Sequence, residues 1–420
     1  MTLAGVWPWA IAFAIVGVII CIVIATIVLR ASRAKVPMVP ASMVPPPAPG
    51  EPPRAAAHDT GVTAALGVRK SFSDAMRVMK THTSNAAERL SMPWVLSIGE
   101  SGAGKSTMLG ALTLPRLSGS AYDPDSLQLQ ACAWNYFEHG IVIDVAGSLV
   151  LNSVRSRADD RAWNALLNQL QRHRPERPLD ALVLSIPAVD LVGPDRLSKE
   201  TLGAKAARIG DRISELHQTL SLRLPVYVVV TKCDVIPGFA AFARALSNKR
   251  LDDMVGWSSP YTVDTAFLPS WVDEALDSVL RGIQEAEFAA LAREEGTPVE
   301  GDDLFILPQH FGRTRSPLRE YLQRIFRPTT YERGAFLRGI YFTGDRNARI
   351  PSGDVAAAMP RMVRPTVELT SDSWSETAEF ATAARTEPTP VAGRHPVFIS
   401  DLFGEKIFAE RGLAQPGPRV

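Results

Sequence analysis

Cysteine is scarce in this chain: Cys21, Cys132 and Cys233 are its only three, and no two stand at the spacing of a Cys/His metal site. That scatter argues against a disulfide framework and a structural zinc site, and it fits a reducing compartment. Net charge is scarce too. With 45 Lys and Arg against 44 Asp and Glu, the formal charge of +1 leaves no electrostatic footprint for nucleic acid. Aromatics, at 7%, form no basic stacking segment, so nucleic acid is not expected as a partner. No internal repeat is visible. The third absence is local: no Lys, Arg, Asp or Glu precedes Arg30.

Within that uncharged start, Trp9 to Leu29 is almost wholly apolar and long enough to span a bilayer as a helix. A cleaved signal peptide would begin with basic residues and have a shorter apolar core, whereas here Arg30, Arg33 and Lys35 come after the apolar run. Residues 1–35 are therefore expected to be a single-pass transmembrane anchor. The positive-inside rule then places the rest of the chain in the cytoplasm, with Trp7 and Trp9 at the opposite interface. Residues 36–57 carry Pro37, Pro40, Pro45, Pro46, Pro47, Pro49, Pro52 and Pro53, a composition that builds no core and reads as an extended linker.

The remaining chain has ample material for a core, since 46% of its 420 residues are hydrophobic. Leu66, Phe72, Met76 and Met79 recur near helical spacing within 63–90 and predict a helix packed on the domain, just ahead of its first strand. Trp94 to Ile98 is a short apolar run. Cys132, Trp134 and Tyr136 alternate with their neighbours as an edge strand would, and Gly140 leads into the buried run Ile141 to Asp144. Two more apolar runs, Ala181 to Ile186 and Val226 to Val230, flank a helical stretch from Leu197 to Leu222. Alternating strands and helices predict an α/β, mostly parallel sheet with helices on both faces. A helical insertion is expected at about 239–330, with Trp271, Val272, Ala275, Leu276 and Val279 on one helix face. Arg338 to Thr343 forms a last strand, and 347–394, without a clear period, reads as loop or partly disordered.

Chemistry concentrates at three strand ends. Directly after the first run comes Gly99-Glu100-Ser101-Gly102-Ala103-Gly104-Lys105-Ser106-Thr107, a phosphate-binding loop of the form GxxxxGK followed by Ser or Thr. Its glycines would let backbone N–H groups converge on phosphate oxygens, Lys105 would reach the β- and γ-phosphates, and Ser106 would ligate Mg²⁺. Asp144 ends the next buried strand in Asp144-Val145-Ala146-Gly147, where the acid would hold Mg²⁺ and Gly147 would offer its N–H to a γ-phosphate. The third element is Thr231-Lys232-Cys233-Asp234. The Asp234 carboxylate could accept two N–H bonds from guanine that adenine does not offer, with the Lys232 stem along the base. These sites predict a P-loop NTPase of G-domain-like fold over 58–346 that takes GTP or ATP with Mg²⁺. Hydrolysis is less securely provided for. Ser148 stands where many GTPases place the glutamine that orients water, and Thr113, Ser118 and Ser120 all remain open as the residue of a first switch.

Several segments together resemble the IcmF/TssM family, the inner-membrane component of type VI secretion systems. Trp134 followed by Ile141 to Gly147 is similar to the family's Trp-then-DTAG segment, with Val145 for its Thr. Pro225-Val226-Tyr227 through Thr231-Lys232-Cys233-Asp234, Ile236, Gly238 and Phe239 resembles its PVYV and TKCDLIxGF signature. Arg338 to Thr343 is similar to its RGxYFTS strand, and Phe398 to Phe403 with Ile407 to Glu410 resembles its FLxDLFxxxIFxE segment, which marks 395–420 as a C-terminal family segment. The resemblance implies an assembly or scaffold switch of a type VI secretion membrane complex with weak or partner-assisted NTP hydrolysis. It would be an oligomer in the bacterial inner membrane, in contact with other membrane-complex and baseplate proteins. A membrane-associated GTPase enzyme driving assembly or trafficking, or an adaptor that keeps the motifs without using nucleotide, are the alternatives. Members usually carry paired membrane helices and a large periplasmic region, so a chain with one span that stops at Val420 is expected to be a short form lacking the periplasmic part, or else a protein of different function.

Overall fold

The apolar runs of the central chain become strands buried on both faces, as a parallel sheet covered by helices requires. The computed structural model describes residues 54–82, 85, 89, 91–117, 131–151, 157–291, 301–327, 334–348 and 394–416. The expected anchor over 1–35, nearly all of the 36–57 linker and nearly all of 347–394 lie outside the described residues. Among the described residues no helix is long and apolar enough to cross a membrane.

The strands are β1 (Trp94–Ile98), β2 (Cys132–Phe137), β3 (Gly140–Val145), β4 (Ala181–Pro187), β5 (Leu222–Arg223), β6 (Pro225–Thr231), β7 (Gly256–Ser258) and β8 (Phe336–Phe342), followed by the two-residue β9 (Gly344–Asp345), β10 (Pro396–Val397) and β11 (Gln415–Pro416). Seven of them form one sheet in the order β2-β3-β1-β4-β6-β8-β7. Its five inner strands are parallel, and β2 and β7 close the two edges antiparallel. The α/β, mostly parallel expectation is met. The hairpin partner predicted for Ile141 to Asp144 is β2, with Trp134 opposite Ile143.

The period of two along each strand divides the core in two. Trp94, Leu96, Ile98, Leu182, Leu184, Val226, Val228 and Ile340 point to one side, and Val95, Val183, Tyr227, Val229 and Tyr341 to the other. On the first side lie α1 (Arg54–His82), reaching the sheet through Val68, Phe72, Ala75 and Met79, and residues of the helices between β3 and β8. Leu66, expected on the apolar face of α1, is instead 55% exposed, because Val68 and Ala75 rather than Leu66 continue the Phe72 stripe. The other side is covered by α2 (Lys105–Gly110), through Met108 and Leu109, and by Ile399, Leu402, Phe403, Ile407 and Phe408 near the C-terminus, most of them in a π-helical turn over Leu402–Ile407.

A four-residue helix α3 (Gly147–Val150) follows β3, and α4 (Arg157–His173) precedes β4. No helix was expected at α4, although Trp163, Leu166, Leu167 and Leu170 recur at helical spacing and are all fully buried. The helical stretch expected before β6 is α5 (Lys199–Leu220), capped by the Ser198 hydroxyl, which accepts the N–H of Thr201. From 239 on come α6 (Phe239–Ala245), α7 (Ser270–Leu291), α8 (Gly301–Gly312) and α9 (Arg315–Ile325), interrupted by β7, a strand the sequence did not announce.

Candidate functional site

Five loops leave the carboxyl ends of the parallel strands along one edge of the sheet. Because β1 pairs with β3 on one side and β4 on the other, the connections diverge at β1 and leave a crevice there, as open α/β sheets do at such switch points.

The loop after β1 turns through Gly102 at φ 74° and Gly104 at φ 83°, left-handed conformations that glycine adopts without steric cost. Lys105 stands next, at the start of α2, only 3% exposed, and its Nζ donates to the carbonyls of Gly99 at 3.1 Å and Glu100 at 2.9 Å. The ammonium thus lies across the loop. Ser106 Oγ donates to Asp144 Oδ2 at 2.6 Å, joining residues 38 positions apart, and Asp144 is fully buried. Gly147 abuts the same loop: a Cβ there would stand 2.0 Å from Ser101 N and 2.3 Å from the Glu100 carbonyl carbon, so only glycine lets the two backbones meet this closely.

The end of β6 is tied to the loop by Thr231, whose buried hydroxyl donates to the Ala103 carbonyl at 2.5 Å. Lys232 sits at φ 56°, ψ 35°, a region non-glycine residues enter at a cost and mostly where function or turn geometry demands it. Asp234 Oδ1 accepts the backbone N–H of Asp345 at 3.0 Å. Asp345 in turn accepts the N–H of Asn347 at 2.9 Å and of His395 at 3.1 Å through Oδ1, while β9 pairs with β10 and Thr343 Oγ1 donates to the Val397 carbonyl at 2.6 Å. The chain after residue 393 is thereby fastened to the loop that holds Asp234.

Two hollows meet at Thr107, Arg394 and Pro396. One is a cavity of ≈ 30 Å³ lined by Gly104, Thr231, Lys232, Asp234 and the Thr343 to Asp345 loop. The other is an open cleft of ≈ 740 Å³ beside Ser106, Thr113, Arg346 and His395. Burial, with Arg394 close by, lowers the pKa of Lys232. On the far side of the glycine-rich loop, Lys205 of α5 bridges Glu100 Oε2 at 2.6 Å and the Asp190 carboxylate. Burial raises the pKa of Asp190, and the neighbouring Glu100 adds to the shift.

All fourteen residues expected at the site, Gly99 to Thr107, Asp144, Gly147, Thr231, Lys232 and Asp234, therefore gather on this one edge. Of the open alternatives for a first switch, Thr113 lines the open cleft beside Ser106. Thr113 is 2.8 Å from Ser400 Oγ and 3.0 Å from Asp252 Oδ1, engaged with the C-terminal segment, and Ser118 and Ser120 lie outside the described residues. Ser148 is the second residue of α3. The sequence read Thr343 only as the end of its last strand and did not single out Gly344, Asp345, Arg394 and His395, which the pairing of β9 with β10 brings to the site.

The donor set suits a hard cation. Among the described residues no group of three His, Cys, Asp or Glu could hold a metal by itself, so an ion at Ser106 and Asp144 would complete its shell with phosphate oxygens and water, as Mg²⁺ does. Lys105, turned onto loop carbonyls, has the reach and charge to hold a phosphate group in their place.

A family model described as the IcmF-related N-terminal domain matches residues 156–420. Type VI secretion system component TssM1 of Pseudomonas aeruginosa is 28% identical over 364 residues, which make up 84% of this chain and 31% of that protein. The chain thus spans about a third of the curated relative's length. Among solved structures, a GTP-binding protein from Sulfolobus solfataricus in complex with GDP aligns at 12% identity over 42% of this chain and 50% of its own, with a TM-score of 0.23. A probable GTP-binding protein, engB, aligns at 15% identity over 34% and 71%, with a TM-score of 0.21.

Proposed function

Because this chain belongs to the IcmF/TssM family, we propose that it is a membrane-anchored, nucleotide-binding subunit of a type VI secretion membrane complex. Its fold on this reading is that of a G-domain-like P-loop NTPase within 58–346, and its ligand is GTP or ATP with Mg²⁺. The observation that carries the reading is the 2.6 Å bond between Ser106 and Asp144, which brings a loop hydroxyl and a strand-end carboxylate to one point beside the buried Lys105 amine. Glycines at 102 and 104 free the loop's N–H groups for phosphate oxygens, Lys105 meets the β- and γ-phosphates, and Ser106 and Asp144 take the metal. Asp234 selects guanine: one of its oxygens already accepts from Asp345, and its remaining lone pairs can serve the base. Gly147, packed on Ser101, would have to yield to a γ-phosphate, which makes α3 the element that moves with nucleotide state. With Ser148 in place of a water-orienting amide, turnover is weak or partner-assisted, and the role is that of an assembly switch at the inner membrane, alongside membrane-complex and baseplate proteins in an oligomer.

Fluorescent-nucleotide titration tests the site. Lys105→Ala should weaken Mg²⁺-GTP binding by about 100-fold or more, since it removes charge-assisted bonds to phosphate. Undiminished affinity would refute the assignment.

A further inference from the structure

Resting on the nucleotide-site reading above, we infer that Arg394 forms the outer wall of the base pocket, its guanidinium stacking on the base that Asp234 selects. Arg394 is the residue at which the small cavity and the open cleft meet, together with Thr107 and Pro396. Its backbone is fixed by its neighbours: His395 donates its N–H to Asp345, Pro396 pairs with Asp345, and Val397 accepts the Thr343 hydroxyl. Its side chain is not fixed. Arg394 is exposed, and among the described residues its guanidinium has no ion-pair or hydrogen-bond partner, although nearly every other cation around the site has one. An unpaired cation beside Lys232 is a repulsive arrangement, and it adds to the burial that chiefly lowers the Lys232 pKa.

A flat, weakly hydrated guanidinium is the cationic group best suited to lie on a π face, and a purine in the cavity would offer one between the Lys232 stem and Arg394. Size points the same way. At ≈ 30 Å³ the cavity has room for about one water molecule, so a base enters only when a wall moves. The backbone walls are held by the β9 and β10 pairing and by β6, whereas the exposed Arg394 side chain can swing out and close again over the ligand. A segment more than 150 residues beyond Asp234 would then help set base affinity, and the fastening of β10 to β9 is what positions it.

The test titrates the full chain and three variants with GTP, with ATP and with inorganic tripolyphosphate, which has no base. Arg394→Ala should weaken GTP binding by about 5–30-fold and leave tripolyphosphate binding unchanged. Arg394→Lys should recover only part of the loss, because an ammonium does not stack flat. An unchanged GTP affinity in Arg394→Ala overturns the inference, as does an equal loss for tripolyphosphate, which would make Arg394 a phosphate contact. A lowered melting temperature of that variant without ligand also overturns it, by giving the residue a structural role. Lys105→Ala separates the two levels: if wild type and Lys105→Ala bind all three ligands equally or not at all, the nucleotide site itself fails, whereas a defect in Lys105→Ala without one in Arg394→Ala removes only the present inference.

Discussion

Glu287 is a carboxylate on the buried side of α7, 6% exposed, and its Oε1 has no hydrogen-bond partner among the described residues. Burial raises its pKa to about 7 from an ordinary value near 4.5. The native state therefore binds the proton more tightly than the unfolded chain, so stability is fullest below about pH 4.5 and is lost as pH rises through about 7. Glu287→Gln, which removes the charge and keeps the shape, should raise the melting temperature at pH 8 and change it little at pH 4.5. Thermal melts at the two pH values check this, and an equal shift at both would mean that the carboxyl is not charged and stranded at neutral pH. Asp144 is a different case. That carboxylate is buried as completely, but it accepts the Ser106 hydroxyl and faces the crevice, where a cation could neutralise it.

At the scale of elements, the C-terminal segment does for one face of the sheet what long helices do for the other. Phe403 is fully buried, Phe408 nearly so, and Phe408 packs so closely on β3 that a Cβ at Gly140 would stand 2.4 Å from its ring. Phe403→Ala should cost about 3–5 kcal/mol, the usual range for emptying a phenylalanine site, measurable as a lowered urea midpoint. A loss under about 1 kcal/mol would show that the segment is replaceable packing. These elements differ in how far the sequence announces them. The runs around Val95, Val183 and Val228 read as strands because both faces are buried and the runs are continuous, and the glycine-rich loop, Asp144 and the Thr231 to Asp234 turn read because each sits at the end of such a run. In α4 the apolar period of Trp163, Leu166, Leu167 and Leu170 is present but diluted by the charged and amide residues between them, so it stands out only once the helix is seen. β7 was not legible at all: three residues carry no period, and Gly256 to Ser258 is a strand only because Phe336 to Phe342 offers it an edge. Asp345, Arg394 and His395 were hidden for the same reason, since a contact between residues 50 positions apart leaves no local pattern.

For the molecule as a whole, the candidate site draws loops from all five parallel strands, and those strands anchor both cores. Residues Ala55–Val420, moreover, form one compact unit. A ligand held by Lys105, Asp144 and Asp234 together binds only when β1, β3 and β6 are all in place, so its binding free energy should appear as stability of the entire unit. At 100 times its dissociation constant, Mg²⁺-GTP should add about 2.7 kcal/mol. For a unit of this size that is a rise of roughly 3–4 °C in a single cooperative transition. Mg²⁺-ATP at the same concentration should give a smaller rise, because adenine leaves the Asp234 carboxylate without its two N–H partners. Lys105→Ala should cut both shifts to about 0.4 kcal/mol or less. Equal shifts for the two nucleotides would remove Asp234 from base selection while leaving the phosphate site intact. Absence of any shift in the wild type would instead favour an adaptor in which Ser106 and Asp144 satisfy each other permanently, their bond then serving as a structural tie between α2 and β3.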